Sequence, residues 1–137
     1  MKDGTIFRLC DWSRRVFASS SRTLWVRTGL TFNEARVLLL LRQTPGVYAR
    51  DLVSGTSLDK VLVSRALAKL NDAGYVHRTT NEHDRRCSVL HLSEFGKRVC
   101  DEIGPLLKSL DVPALSNAER SLLCKVLAHL DCNEGLQ

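Results

Sequence analysis

The sequence has few of the residues that mark fibrous, disordered or membrane-spanning chains. Its 137 residues include 3 Pro and 8 Gly, which excludes a collagen-like repeat and a Pro- or Gly-rich low-complexity segment. The longest apolar run covers residues 37–41, whereas a membrane-spanning helix needs about 20 such residues. Residues 1–10 also lack the apolar segment of a secretory signal. The composition therefore predicts a single globular domain over residues 1–137 that stays in the cytoplasm.

The sequence also lacks the motifs of common enzymes and metal sites. It has no HExxH, GxSxG, phosphate-binding-loop or GxGxxG pattern, so neither an enzyme nor a cofactor is predicted. The sequence contains 5 Cys, an odd number, and no CxxC pair. This pattern fits neither a zinc finger nor a disulfide framework. We therefore expect no metal site, and thiols that stay reduced in the cytosol.

Positive charge is in excess, and it is unevenly distributed along the chain. The formal net charge is +5, and residues 1–98 carry 17 Lys and Arg against 9 Asp and Glu. Residues 99–137 instead carry 3 against 6. A basic surface attracts polyanions, so the distribution predicts a nucleic-acid partner that contacts the N-terminal and central parts of the chain.

Apolar residues recur with helical spacing along most of the chain, which predicts a mainly α-helical fold. Capping boxes begin at Thr31 and Ser116, where a Glu three residues later completes the box. Gly104 and Pro105 are expected to kink or break the fifth helix, because Pro lacks an amide donor. The predicted helices cover residues 6–26, 32–42, 48–54, 58–73, 94–110 and 117–130.

A β-hairpin is predicted directly after the fourth helix. Gly74 is placed to end that helix in the left-handed conformation. Two β-compatible runs follow, over residues 75–80 and 87–92, and the tip between them, residues 81–86, is polar and basic. A short helix, a tight turn over residues 55–57, a longer helix and this hairpin together predict a winged helix-turn-helix. The predicted fold is mainly α with a small β-hairpin wing.

The fourth predicted helix has two faces of different chemistry. The apolar arc, which we expect to pack on the domain, carries Val63, Ala66, Leu67 and Leu70. The opposite arc carries Val61, Ser64, Arg65, Ala68 and Lys69. Arg binds guanine edges bidentately and Lys neutralises phosphate, so this face suits a DNA major groove. A plain solvated face is the alternative, and the adjacent basic hairpin favours DNA.

In this region the sequence resembles the MarR family of bacterial regulators. The resemblance covers residues 30–98 and rests on four segments that occur in the family's order. They are residues 62–70 in the recognition helix, 74–78 in the first wing strand, the Asp-x-Arg motif at 84–86, and 92–96 at the start of the next helix. The resemblance implies a winged helix-turn-helix DNA-binding core over residues 30–92 and dimerisation helices over residues 1–28 and 93–137.

By this resemblance the chain is a homodimeric, sequence-specific transcription regulator that binds an inverted-repeat operator in double-stranded DNA. The resemblance implies a repressor that a small-molecule effector releases, with an activator as the alternative, although no residue identifies the ligand site. Arg86 is then the minor-groove arginine and Asp84 its organiser. At Val61 and Leu62 an apolar pair either touches a thymine methyl or packs inward. The DNA-binding residues expected are Lys60, Ser64, Arg65, Lys69, His83, Asp84, Arg85 and Arg86.

Two other functions fit the sequence less well. Some family members sense oxidants through a cysteine, and Cys10 and Cys87 are the candidates for a redox-sensing repressor. Cys87 follows Arg85 and Arg86, whose charges favour a thiolate, but a free Cys on an apolar helical face is usually buried and inert. A winged helix used only for protein interaction is the other alternative, and the basic wing tip argues against it.

The last two predicted helices carry more apolar residues than one pair of short helices can bury. This surplus predicts a homodimer joined through the first, fifth and sixth helices. The residues concerned are Ile103, Leu106, Leu107, Leu110, Leu122, Leu123, Val126, Leu127 and Leu130.

Overall fold

The computed structural model describes residues 4–110 and 115–132, with the backbone alone at Asn81, Arg85, Arg86 and Asp131. Helices dominate these residues, and three short strands form one sheet, so the predicted fold class is confirmed. The elements are α1 Gly4–Thr28, α2 Phe32–Gln43, β1 Val47–Tyr48, α3 Ala49–Thr56, α4 Lys60–Asp72, β2 Val76–Asn81, β3 Asp84–Leu92, α5 Glu94–Ser109 and α6 Asn117–Cys132.

The chain divides into two compact units. One comprises residues 1–16 with 110–137, and the other comprises residues 17–109, which hold the helix-turn-helix and the sheet. The division falls inside α1, whereas the predicted dimerisation segments end at residue 28 and begin again at residue 93. Those segments stay a prediction about which parts of the chain dimerise. No helix in the described ranges is long and apolar enough to cross a membrane.

The core of the larger unit forms around α2. This helix is apolar on most sides, and it packs against α3, α4, α5 and β3. Burial of side chains from each of these elements fixes the orientation of α4, which carries the predicted DNA-facing residues. The large side chains with essentially no exposure are Leu24, Val37, Leu38, Leu41, Leu52, Val63, Leu67, Leu70, Leu90 and Ile103.

The predicted capping box at Thr31 is confirmed. The Thr31 hydroxyl accepts a hydrogen bond from the Glu34 amide at 3.3 Å, and the Glu34 carboxylate accepts one from the Thr31 amide at 2.9 Å. The predicted box at Ser116 is also confirmed, since the Ser116 amide donates to Glu119 at 2.8 Å and the Glu119 amide donates to the Ser116 hydroxyl at 3.3 Å. These local bonds set where α2 and α6 begin.

Glycine conformations confirm two helix ends and correct one turn. Gly29 and Gly74 have φ of 70° and 77°, as expected of residues that end α1 and α4. The turn between α3 and α4 differs from the expectation, because Gly55 lies within α3 and the left-handed residue is Ser57, with φ 55°. A Cβ at Gly55 would meet the end of the Leu40 side chain, which would have to shift to make room.

The sheet has the order β1-β3-β2, and both pairings are antiparallel. The sequence did not predict β1, which pairs Val47 with Leu90. The predicted six-residue tip is wrong, because Asn81 pairs with Asp84 and leaves a two-residue turn at Glu82 and His83. The wing strands are therefore longer than expected, and residues 85–86 lie in β3 rather than in the turn.

The helix α5 continues through Pro105 to Ser109, so it does not break there, and a kink at this point stays a prediction. The apolar face of α5 spans the proline, with Val99 and Ile103 buried before it and Leu106 packed against the core after it. Burial on both sides holds the helical path although the carbonyl of Asp101 loses its usual amide donor.

Candidate nucleic-acid interface

The predicted buried face of α4 is confirmed. Its four apolar residues are the buried residues of the helix, with exposures of 4% or less: Val63, Ala66, Leu67 and Leu70. At the start of the helix the Asp59 carboxylate accepts a hydrogen bond from the Leu62 amide at 2.9 Å. This N-cap and the buried face fix how the other side of α4 meets solvent.

The opposite face of α4 is exposed over its whole length. Lys60, Ser64 and Arg65, which the sequence predicted to face DNA, all lie on it. Val61 is 57% exposed, whereas Leu62 packs partly buried against the core. The structure thus separates the apolar pair: Leu62 packs inward and Val61 points outward.

A groove of about 450 Å³ borders one side of this face. Its rim carries Lys60 and Ser64 from α4, Arg50 from α3 and Arg78 from β2, and its floor is apolar. The guanidinium of Arg50 lies 4.8 Å from the centre of the Tyr48 ring, which steadies the long side chain. Three cations around one groove suit phosphate groups, although the Arg50 guanidinium also lies 3.9 Å from the Asp51 carboxylate.

Sequence reasoning missed Arg50 and Arg78. Both lie on elements other than α4, and only the packing of α3 and β2 against α4 brings them to the groove. For Arg78 the sequence did offer a signal, because side chains alternate between the two faces of a strand. Arg78 therefore lies on the same face of β2 as Val76, which is buried in the core.

The other side of the face borders a second groove, of about 420 Å³, which Arg65 and Lys69 share with the N-terminus of α2. The Lys69 amine lies 3.6 Å from the Glu34 carboxylate, and the Glu34 side chain is only 7% exposed. Lys69 was predicted to contact DNA phosphate, but its amine is here paired with a buried carboxylate. Its DNA contact stays a prediction.

The wing places His83 and Asp84 at its exposed end. The Cys87 thiol donates a hydrogen bond to the Asp84 carboxylate at 3.3 Å. The side chains of Arg85 and Arg86 lie outside what the structure describes, so the minor-groove role of Arg86 and the organising role of Asp84 stay predictions.

The two described thiols of the larger unit are both held in the neutral form. The hydrogen bond to Asp84 is the main cause that raises the pKa of Cys87, with burial and the Asp84 charge adding to it. The pKa of Cys87 is raised although the charge of Arg50 lowers it, and the effect of Arg85 and Arg86 lies outside what the structure describes. Burial raises the pKa of Cys100, whose thiol donates to the Leu38 carbonyl at 3.5 Å. The other redox candidate, Cys10, is exposed on α1.

The wing is tied to α5 by Ser93 and Gly96. The Ser93 hydroxyl donates to the Gly74 carbonyl at 2.6 Å and accepts from the Gly96 amide at 3.0 Å. A Cβ at Gly96 would collide with the Tyr75 carbonyl. The Leu-Ser-x-x-Gly pattern thus has a physical cause, since only glycine lets α5 pack this closely on the start of β2.

No group of three or more potential metal ligands occurs within the described ranges. The groove of Lys60, Arg50 and Arg78 is instead cationic, which suits a polyanion.

Sequence comparisons identify the central segment. A sequence profile of the MarR family matches residues 28–86. The HTH-type transcriptional regulator BilQ of Clostridium symbiosum is 23% identical over 93 residues, which are 68% of this chain and 65% of BilQ. The α subunit of phenylalanine–tRNA ligase from Pyrococcus horikoshii is 36% identical over 84 residues, 61% of this chain. The chain spans only 16% of the length of that subunit.

Solved structures share the fold over nearly the whole chain. The transcriptional repressor CouR, bound to a 23-mer DNA duplex, superposes with a TM-score of 0.81 at 23% identity, covering 93% of this chain and 92% of CouR. BpsR of Bordetella bronchiseptica, whose DNA binding is regulated by 6-hydroxynicotinic acid, gives 0.77 at 21% identity, covering 90% and 98%. Residues 28–86 therefore match the model of the MarR family, and the chain shares the winged-helix fold of the solved MarR structure.

Proposed function

We propose that this chain is a sequence-specific transcription regulator that inserts the exposed face of α4 into the major groove of operator DNA. The observation that carries the proposal is the arrangement of Lys60, Ser64 and Arg65 on that face beside the cationic groove of Arg50 and Arg78. Arg and Ser side chains reach base edges, and the cations of the groove bind phosphates on either side.

The position of α4 supports this function. Recognition helices contact base edges through their N-terminal residues, and Lys60, Ser64 and Arg65 lie in the first two turns of α4. The wing extends from the end of the same helix, so it is placed to contact the adjacent stretch of duplex. CouR, which has this fold, is bound to a DNA duplex in its own structure.

The regulator acts as a homodimer in the cytoplasm. Apolar side chains on α6 are about half exposed or more, with 63% for Leu122, 48% for Val126, 50% for Leu127 and 56% for Leu130. A second copy of the chain can cover such a surface, because a two-fold axis places the same apolar patch of both copies in contact. Ile103, which the sequence assigned to the same surplus, is buried in the core and contributes nothing to it.

Selection of binding sites from random duplex DNA tests the DNA-binding proposal. A two-fold dimer selects a pseudo-palindrome whose half-sites lie about one helical turn, roughly 34–36 Å, apart. Full-length protein should bind the selected duplex far more tightly than a shuffled one, and the affinity should fall steeply with salt. Failure to enrich any sequence would contradict the proposal.

The regulator is a repressor that a small aromatic acid releases from DNA. A cavity of about 400 Å³ lies between α1 and α2, and three aromatic rings, Phe17, Trp25 and Phe32, line it. Ser21 and Arg22 also line this cavity. Aromatic walls and a cation suit a planar ring with a carboxylate. The regulation of BpsR by 6-hydroxynicotinic acid supports the same ligand class.

The effector proposal is tested with 6-hydroxynicotinate and benzoate as probes. Both should lower the affinity for the selected DNA and quench Trp25 fluorescence. Arg22→Gln should weaken this response, and Arg14→Gln, which removes an exposed α1 arginine outside the cavity, should leave it unchanged. Equal responses in the two variants would contradict the assignment of the cavity.

The redox alternative has less support from the structure. A reactive thiol needs thiolate character, and the bond from Cys87 to Asp84 works against it. Cys10 remains the candidate for a sensor thiol, on the ground of its exposure.

A further inference from the structure

Val61 is the large apolar residue that α4 exposes among its described side chains, with 57% of its surface accessible. It lies in the first turn of the helix, just after the N-cap Asp59. The hydrogen bond from the Leu62 amide to the Asp59 carboxylate orders this turn, so the helix does not fray at Val61. A β-branched side chain in a helix also has one preferred rotamer, so Val61 presents a fixed apolar surface.

Val61 occupies the crest of the exposed face. A step of about 100° per residue places it near the middle of the exposed arc of α4, together with Ala68. Lys60 and Ser64 lie on one side of it, bordering the groove of Arg50 and Arg78. Arg65 and Lys69 lie on the other side, along the second groove. An apolar crest between two cationic margins matches a base-pair edge flanked by two phosphate strands.

We infer that Val61 reads a thymine by packing its methyl groups against the C5 methyl in the major groove. Thymine is the base that presents an apolar group there, and apolar side chains discriminate it through that methyl. The inference rests on the proposed DNA binding by α4 and adds the identity of one base that it reads. Leu62 cannot take this role, because its side chain packs against the core.

The test uses the duplex that the wild-type protein selects from random DNA. Each thymine of the half-sites is replaced in turn by deoxyuridine, which lacks only the methyl group. For wild-type protein the critical replacement should weaken binding about fourfold, the value expected for one buried methyl. In Val61→Ala the same replacement should weaken binding clearly less than fourfold, because the shorter side chain leaves most of this contact unmade. Val26→Ala, which truncates another exposed valine on α1, should keep the fourfold loss.

The outcomes separate the inference from the function on which it rests. If no thymine replacement weakens wild-type binding, Val61 does not read a methyl group and only this inference fails. The same holds if the replacement lowers the affinity of Val61→Ala as much as that of wild type. If selection yields no preferred sequence, the proposed function fails and the inference fails with it. Because Val61 is exposed, circular dichroism of Val61→Ala should match wild type.

Discussion

Asp84 and Cys87 form a local pair in the wing that keeps the Cys87 thiol protonated. The thiol donates to the carboxylate at 3.3 Å, which stabilises the protonated thiol because a thiolate beside a carboxylate would be repelled. The raised pKa of Cys87 means that less thiolate is present at any given pH than for an ordinary cysteine. Asp84 therefore protects Cys87 from alkylation and oxidation.

Replacing Asp84 by Ala should accelerate the reaction of Cys87 with iodoacetamide. Removal of the main cause of the raised pKa increases the thiolate fraction at pH 8, and the alkylation rate follows that fraction. Peptide mass spectrometry measures the rate at each cysteine. The exposed Cys10 provides an internal control whose rate should not change. An unchanged Cys87 rate in Asp84→Ala would show that the hydrogen bond does not control the thiol.

Lys60 and Lys69 differ in their partners although both lie on the exposed face of α4. Lys69 is 3.6 Å from the buried Glu34 carboxylate, and Lys60 lies at the rim of the cationic groove. Lys60→Ala should therefore reduce the slope of log affinity against log salt by about one unit per protomer. Lys69→Ala should change the slope less and lower the melting temperature more, because it leaves Glu34 without its cation. Equal slopes in the two variants would contradict this distinction.

The helix α5 contains two glycines with different surroundings. Gly96 lies against the Tyr75 carbonyl, so a Cβ there forces the helix away from the strand. Gly104 has nothing within 4 Å of its Cβ direction. Substitution by alanine is therefore expected to lower the free energy of unfolding at Gly96 and to raise it at Gly104.

Gly96→Ala should destabilise the protein by more than about 2 kcal/mol, because backbone at the contact cannot yield as a flexible side chain can. Gly104→Ala should stabilise it by about 0.5–1 kcal/mol, because alanine restricts the unfolded chain and favours the helix. Urea unfolding measured at one protein concentration compares the two. A Gly96→Ala variant as stable as wild type would refute the close contact.

Helix ends could be predicted from the sequence because the groups that set them are local. Thr31 and Glu34 satisfy each other within one turn, and Gly74 needs only its own φ to end α4. The strand β1 could not be predicted, because two residues are too few to show the alternation of a strand. It is a strand only through its pairing with β3. The path of α5 through Pro105 likewise depends on core contacts from other elements.

At the scale of the molecule, we expect the exposed apolar face of α6 to be covered by a second copy of the chain. Leu122, Val126 and Leu130 share one arc of the helix, and Ala128 lies on the opposite side. Val126→Glu should convert the dimer to a monomer, since a charge cannot be buried between two copies without a partner. Ala128→Glu adds the same charge outside the arc and should leave the dimer intact. Sedimentation velocity at micromolar concentration distinguishes them, and a monomeric wild type would contradict the dimer.

The candidate site was predictable where it lies on one element and not where elements meet. Ser64 and Arg65 follow from helical periodicity on α4, but Arg50 and Arg78 join them only through the packing of α3 and β2. The pairing of Lys69 with Glu34 joins α4 to α2 and has no signal in either helix alone. Long-range contacts of this kind depend on the core and on no local pattern.

The central claim is that the exposed face of α4 reads DNA sequence, and Arg65 tests it most directly. Binding sites are selected in parallel with wild-type protein, with Arg65→Ala and with Arg14→Ala, which removes an exposed arginine from α1. We expect Arg65→Ala to lose preference at one base pair of each half-site and to bind the wild-type site about 1–3 kcal/mol more weakly. Arg14→Ala should keep the wild-type preference at every position. Identical preferences and affinities for wild type and Arg65→Ala would contradict the claim.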